Sequence, residues 1–468
     1  MSIIYKALAF AGVGLVVLAL YGKIETWQLL LTVEVCMLAY GMGRPVWVAG
    51  ALVFSELTGP AVFIPLGGAS VLSLRLVVSA LALLLILPSV FRRDALGVRG
   101  WVMLGLALAF VLVATASNSA NSLTADVTIK YARYLFTFLA ILLVIPAAVH
   151  SRKDLEDLCW IAVWAATLSG VLTVMQHYHI NGLHGFRWGR APGFADHPVV
   201  VALVLSVAIA GVVTMLLTNR FRSPTVIAIL ALSAGFMTLG LYFTYTRTAL
   251  LALATCPVVF LLYLRGKART TVAIAMVIGM AVFVVTANAP GARITLSSFS
   301  FSADGSAAAR PVLWKVATTI AKEHMWLGVG REGFRVLGPQ YASVIDPASG
   351  ASTTGAAGLL ESYDPHNDFL YSLVAFGIFG FLLFIAFHVL AWMNFHAAWK
   401  ISRDWLIRSL AIGGIAALVG YMANSSFHNS FDGSLLLGVM MGFSVTLHKL
   451  AKESGKNYHA TKAVSQGG

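Results

Sequence analysis

Tyr363-Asp364-Pro365-His366-Asn367-Asp368-Phe369-Leu370 ends the one long water-compatible segment of the chain, 288–365, and opens an apolar stretch, 369–393, that carries Gly377 and Gly380. The junction spells His-Asn, nine residues, then Gly-x-x-Gly, and sets a histidine where a polar loop meets the start of a membrane helix. A lone histidine there is a cap or an interfacial anchor. What surrounds it decides whether it is also chemistry.

On both sides the sequence is apolar. Of 468 residues, 59% are hydrophobic and 11% charged, with mean hydropathy +0.84, whereas an ordinary soluble domain carries about 25% charged residues. Apolar runs broken by short polar stretches match helices crossing a hydrocarbon core of about 30 Å, and a barrel would alternate instead. The expected fold class is all-α: a polytopic helical membrane protein of about 12–14 transmembrane helices, with one long periplasmic loop containing short helices. Candidate spans are 7–21, 27–41, 46–57, 72–91, 101–116, 131–149, 158–179, 199–218, 225–243, 249–264, 271–288, 369–395, 409–423 and 434–448. The run 46–57 reads equally as a half-span or an interfacial helix, and 7–20, without a small-residue cleavage site, reads as a retained first helix. Cys36, Cys159 and Cys256 lie in apolar runs with no ligand-spaced partner, so neither a disulfide framework nor a zinc site is indicated.

The formal charge of +13 points to topology rather than nucleic acid. Arg92, Arg93, Arg99, Arg152, Lys153, Arg265, Lys267, Lys400, Arg403 and Lys449 fall on one side if the spans alternate, and the positive-inside rule makes that side cytoplasmic. Both termini are then cytoplasmic, and 181–198, 244–248, 288–365 and 424–433 face the periplasm. These outward segments should be poor in arginine, yet they hold Arg187, Arg190, Arg247, Arg293, Arg310, Arg331 and Arg335. Solvated loop charges or headgroup contacts account for any single one. As a set they suit an anion, because the planar guanidinium pairs two phosphate oxygens and stays charged in a dry site. Arg247 is the strongest, lying between two apolar runs with almost no loop around it, where a charge costs a few kcal/mol to insert. Arg190 follows, in a Gly/Pro-punctuated turn.

Within the long loop, Arg310-Pro311 opens a helical pattern with Pro in the first turn and Leu313, Val316, Ala317 and Ile320 on one face. That helix is expected to lie along the membrane surface, and the mobile-looking stretch 346–362 to act as a lid over a lateral cavity. Gly328-Val329-Gly330-Arg331-Glu332-Gly333 matches the dinucleotide fingerprint in letters but lacks the preceding strand, so it is read as a turn whose amides are available to an anion. Asp-x-Asp, Gly-x-Ser-x-Gly, His-Glu-x-x-His and Walker A patterns are absent from the sequence. Glu361, Asp364 and Asp368 are each near enough in sequence to orient the His366 ring.

Thr246-Arg247-Thr248-Ala249-Leu250-Leu251, Arg310-Pro311-Val312-Leu313-Trp314, Gly328-Val329-Gly330 with Phe334, and His366-Asn367 with Gly377-Ile378-Phe379-Gly380 together resemble the bacterial O-antigen ligase and polymerase superfamily of integral membrane glycosyltransferases. The resemblance covers roughly 187–380. It implies en bloc transfer of a glycan from undecaprenyl diphosphate to an acceptor hydroxyl at the periplasmic face of the bacterial inner membrane, with no metal, nucleotide or other cofactor. The ligase form takes lipid A-core as acceptor, and the polymerase form takes the growing glycan. Catalytic roles fall to His366 and Arg247, diphosphate binding to Arg190, Arg247, Arg187 and Arg310, and support to Asn367 and Trp314. The chain then divides into N-terminal spans at 1–180, a ligase-like catalytic region at 181–395, C-terminal spans at 396–448 and a cytoplasmic tail at 449–468. An anion or lipid-linked-sugar transporter is the alternative of another class.

Overall fold

A computed structural model describes the protein over residues 26–58, 63–65, 71–91, 95–121, 125–180, 190–195, 197–218, 223–287, 305–345, 364–429 and 435–466. The elements are α1 Thr26–Gly41, α2 Pro45–Thr58, β1 Phe63–Pro65, β2 Val71–Ser73, α3 Leu74–Val90, α4 Gly97–Ala120, α5 Ala125–Ala148, α6 Arg152–His177, α7 Pro198–Thr218, α8 Pro224–Phe243, α9 Arg247–Tyr263, α10 Lys267–Ala287, α11 Gly305–Glu323, α12 Gly333–Ile345, α13 Asp368–Ile401, α14 Trp405–Ser425 and α15 Leu436–Gln466. Among the described residues, seven helices are long and apolar enough to cross a membrane, and four shorter apolar helices accompany them. The protein is thus an all-α, multi-pass membrane protein. Helices are the form that satisfies every backbone N–H and C=O within the segment when no water is at hand. The expected spans from 27–41 to 434–448 each overlap a helix, while 7–21 lies outside the described residues.

Local chemistry sets several helix ends. Pro224 opens α8 at a position whose N–H has no partner to lose. Ser151 and Asp154 close a reciprocal capping box on α6, and Asp404 accepts from the amides of Leu406 and Ile407 at the start of α14. Basic residues counted for orientation knit this end of the bundle together. Arg99 donates to the Met393 carbonyl at 3.2 Å, Arg152 pairs with Asp404 at 3.1 Å, and Lys449 donates to the carbonyls of Ala95 and Pro146.

Some expectations needed correcting. Residues Val46 to Thr58 of α2 are all buried, so this helix is neither interfacial nor exposed to lipid. Its 14 residues span only about 21 Å. Strands β1 and β2 form a small antiparallel ribbon, pairing Phe63 with Ser73 and Ile64 with Leu72, that apolar patterning alone did not reveal. Helix α11 begins at Gly305, so Pro311 lies inside it rather than in its first turn. Its apolar face is the expected one, but it turns inward: Leu313, Val316, Ala317 and Ile320 form a second core with Val329, Phe334 and Val374. Lys315 and Lys322 stay exposed. The helix therefore packs on protein instead of lying on lipid.

That second core rests on a break in α13. Gly377 adopts φ 65° and ψ −167° in mid-helix, and the Gly328 turn, itself at φ 69°, is laid across the gap. Val329 N–H donates to the Val374 carbonyl and Gly330 N–H to that of Ala375, both at 2.9 Å, while Ile378 N–H donates to the Met325 carbonyl at 2.7 Å. A Cβ on Gly377 would lie 2.2 Å from the Trp326 carbonyl oxygen, and one on Gly328 would lie 2.4 Å from that of Val374. Only glycine fits either place. The Val329 and Gly330 amides are thus committed to the α13 break and are not an anion cradle.

Candidate active site at the polar end of the bundle

Five segments distant in sequence meet at the end of the bundle opposite the basic knit: 190–195 with His197 before α7, 244–247 between α8 and α9, the start of α11, His366-Asn367 before α13, and 426–429 after α14. The first two hold each other. Arg190 donates from Nε to the Thr244 carbonyl at 2.6 Å and from Nη2 to Thr246 Oγ1 at 2.5 Å. The reversal it grips turns at Tyr245, a non-glycine residue with φ 49°, and delivers Arg247 to the first turn of α9. Burial, and then the neighbouring Arg247 charge, push the Arg190 guanidinium below its usual range. Arg247 moreover stands at a helix N-terminus, where the macrodipole disfavours a cation. Two arginines close enough to repel, one of them at a helix N-terminus, make a place that favours an anion.

The second half of the site is built around Asn367. Its Oδ1 caps α13 by accepting from the amides of Phe369 and Leu370, its Nδ2 donates to the Ser426 carbonyl at 3.0 Å, and its N–H donates to Asn429 Oδ1 at 2.9 Å. These bonds dock the end of α14 onto the start of α13. His366, at φ 51°, lies one residue before the cap, and its Nδ1 is 3.3 Å from Nδ1 of His428. Trp314 of α11 donates from Nε1 to the Pro365 carbonyl at 3.0 Å and approaches the Phe427 ring, holding the loop from the other side.

The electrostatics of the two halves are shared. Burial pushes the His366 imidazole down to about 4, helped by the charges of Arg310 and His197. His428 is driven further down by burial, then by His366, His197, Arg310 and Arg190. The charges that lower this histidine pair are Arg310, Arg190 and the neighbouring imidazoles, so it sits in a partly desolvated, cationic bowl. Among the described residues no three His, Cys, Asp or Glu side chains are disposed to hold a metal ion. A cavity of about 130 Å³ lies elsewhere, lined by Val53, Leu57, Val212, Met440 and Phe443 among others, and offers an anion nothing polar.

Sequence reasoning placed Arg190, Arg247, Arg310, Trp314, His366 and Asn367 here, and the fold brings them together. Arg187, Arg293, Glu361 and the supposed lid at 346–362 lie outside the described residues. Arg331 and Arg335 leave the anion-binding set: the first lies over the Tyr131 ring at 5.3 Å, and the second forms a bidentate pair with Asp364 at 3.0 and 3.2 Å. Asp364 is therefore engaged elsewhere, and the observed neighbour of His366 Nδ1 is a second histidine rather than a carboxylate. Sequence reading missed His197, His428 and Asn429. The signal was there as a second His-Asn dipeptide, at 428–429, in a segment expected to face outward.

Residues 229–385 match the family model described as O-antigen ligase. A curated O-antigen ligase of Pseudomonas aeruginosa is 27% identical over 312 residues, which are 64% of this chain and 66% of that protein. Over these residues the chain is similar to the O-antigen ligase superfamily. The match to the relative covers slightly under two thirds of its length. The O-antigen ligase model encloses Arg247, Arg310, Trp314, His366, Asn367 and the Gly377 break, whereas Arg190, His197, His428 and Asn429 lie beyond its limits. The bowl is thus completed by residues outside the O-antigen ligase match.

Proposed function

We propose that the protein transfers a glycan en bloc from undecaprenyl diphosphate to an acceptor hydroxyl of lipid A-core at the periplasmic face of the inner membrane, both termini being cytoplasmic. The observation that carries this reading is Arg190, held by Thr244 and Thr246 beside Arg247, in the electrostatic field of the histidine pair. A diphosphate seated between the arginines, with Arg310 beside it, relieves their repulsion. As the glycosyl–oxygen bond breaks, the leaving diphosphate takes the bonding pair and gains charge, which the fixed guanidinium groups stabilise as a metal would elsewhere. His366 Nε2 takes the proton of the attacking hydroxyl, whose oxygen bonds to the anomeric carbon from the opposite face, inverting it. The proton then passes to the departing diphosphate or to water.

Unmodified histidine titrates near 6.5, and His366 lies well below that. It is a weak base, held near 4 by burial and then by the Arg310 charge. Entry of the diphosphate offsets that charge and raises its basicity, so the base strengthens when the donor is in place. The test is to measure donor binding and transfer separately. Arg190→Ala is expected to weaken donor binding with the acceptor KM unchanged, whereas His366→Ala binds donor normally and loses about 10²- to 10⁴-fold in turnover. Normal transfer by His366→Ala removes the base role, and normal donor binding by Arg190→Ala removes the diphosphate assignment.

A further inference from the structure

The dipeptides His366-Asn367 and His428-Asn429 face each other across the junction of α13 and α14. Asn367 bonds to Asn429 Oδ1 through its backbone and to the Ser426 carbonyl through its side chain, which fixes the two segments in register. One residue earlier in each, the two imidazoles meet Nδ1 to Nδ1 at 3.3 Å, with ring centroids 5.4 Å apart. Such a contact is a hydrogen bond only if one nitrogen carries the proton and the other does not. We infer that His428 is the positioning residue of His366: its neutral Nδ1 accepts from the Nδ1–H of His366 and so leaves His366 Nε2 bare to take the acceptor's proton. This rests on His366 being the base.

An acceptor on His366 Nδ1 fixes both the tautomer and the ring orientation, and stabilises the imidazolium formed when Nε2 is protonated. In the hydrolytic triads that service falls to a carboxylate. Here a carboxylate would sit among Arg310 from α11, Arg190 from the segment before α7, and His197, and would be drawn into pairing with the arginines that the diphosphate needs. A second imidazole gives the acceptor lone pair with no charge. Burial, and then the same cations, disfavour protonation of His428 and so favour the form that offers the lone pair. His197 completes the surroundings: its Nδ1 accepts from the Val199 amide at 3.3 Å, and its ring centroid lies 6.2 Å from that of His428.

The experiment uses the position of the lone pair. Asparagine can place Oδ1 where histidine has Nδ1, whereas glutamine puts its oxygen near the Nε2 position. In the full-length protein, His428→Ala and His428→Gln are expected to lose about 10- to 100-fold in kcat with donor KM within about twofold, and His428→Asn to stay within about fivefold of wild type. The double variant His366→Ala/His428→Ala should be no slower than His366→Ala, because the pair acts as a unit. Should His428→Ala fail to fold, the Asn-against-Gln contrast still decides. Equal rates for Asn and Gln, or wild-type turnover by His428→Ala beside an inactive His366→Ala, overturn the pairing alone. Wild-type turnover by His366→Ala overturns the base reading with it.

Discussion

At the scale of single residues, the account rests on guanidinium geometry and imidazole protonation. Arg247→Lys keeps the charge but loses the fork, so transfer is expected to fall about 10- to 100-fold at matched protein level. Near-normal turnover would make Arg247 a structural charge. Thr246→Val removes the oxygen to which Arg190 Nη2 donates and is expected to raise donor KM with little change in kcat. The pH dependence follows from His366, whose neutral form is active. Because its pKa is lowered to about 4, kcat/KM, which reports the free protein, should persist as pH falls through 6.5 and fail only near 4. An acid limb between 6 and 7 would contradict the dry, cationic surroundings described for this ring. The residues that sequence reading singled out were those whose oddity is local, such as an arginine with no loop or a histidine at a loop's end. His428 was missed because its partner lies 62 residues away, and only the meeting of two helix ends reveals it.

At the scale of elements, the decisive feature is the break in α13. Gly377 lets the backbone turn through a left-handed φ, and the Gly328 turn fills the opened hydrogen-bond positions, so α11 and α12 are fastened to the transmembrane bundle behind His366. Gly377→Ala introduces both a left-handed alanine and a Cβ 2.2 Å from a carbonyl oxygen. It is expected to destabilise by more than about 2 kcal/mol, seen as a lower melting temperature in detergent, with Gly328→Ala behaving alike. A melting temperature equal to wild type in either variant would show that the break is not required. Helix positions were legible because a membrane span must be continuously apolar. The inward packing of α11 was not, since amphipathic spacing marks an apolar face without saying whether lipid or protein covers it. The break itself looked in the sequence like an ordinary Gly-x-x-Gly.

At the scale of the molecule, one end of the bundle is tied by Arg99, Arg152 and Lys449 to helix ends, and the other gathers arginines and histidines into a bowl. With the first end cytoplasmic, a cysteine replacing exposed Lys322 reacts with an impermeant thiol reagent in spheroplasts, and one replacing exposed Arg403 does not. Reversed labelling would put the bowl on the wrong side for a periplasmic acceptor. The class of the protein was plain from composition and a handful of short motifs suggested where to look for a site, whereas the convergence of five separate segments had to come from the fold. The most direct test of the central claim is reconstitution of purified protein in proteoliposomes with undecaprenyl-diphosphate-linked glycan and lipid A-core, in the presence of EDTA and without nucleotide. The account predicts release of undecaprenyl diphosphate and glycan joined to the core only when the acceptor is supplied. Chain lengthening with donor alone would instead make the protein a polymerase, and movement of the intact lipid-linked glycan between leaflets without cleavage would contradict a transferase altogether.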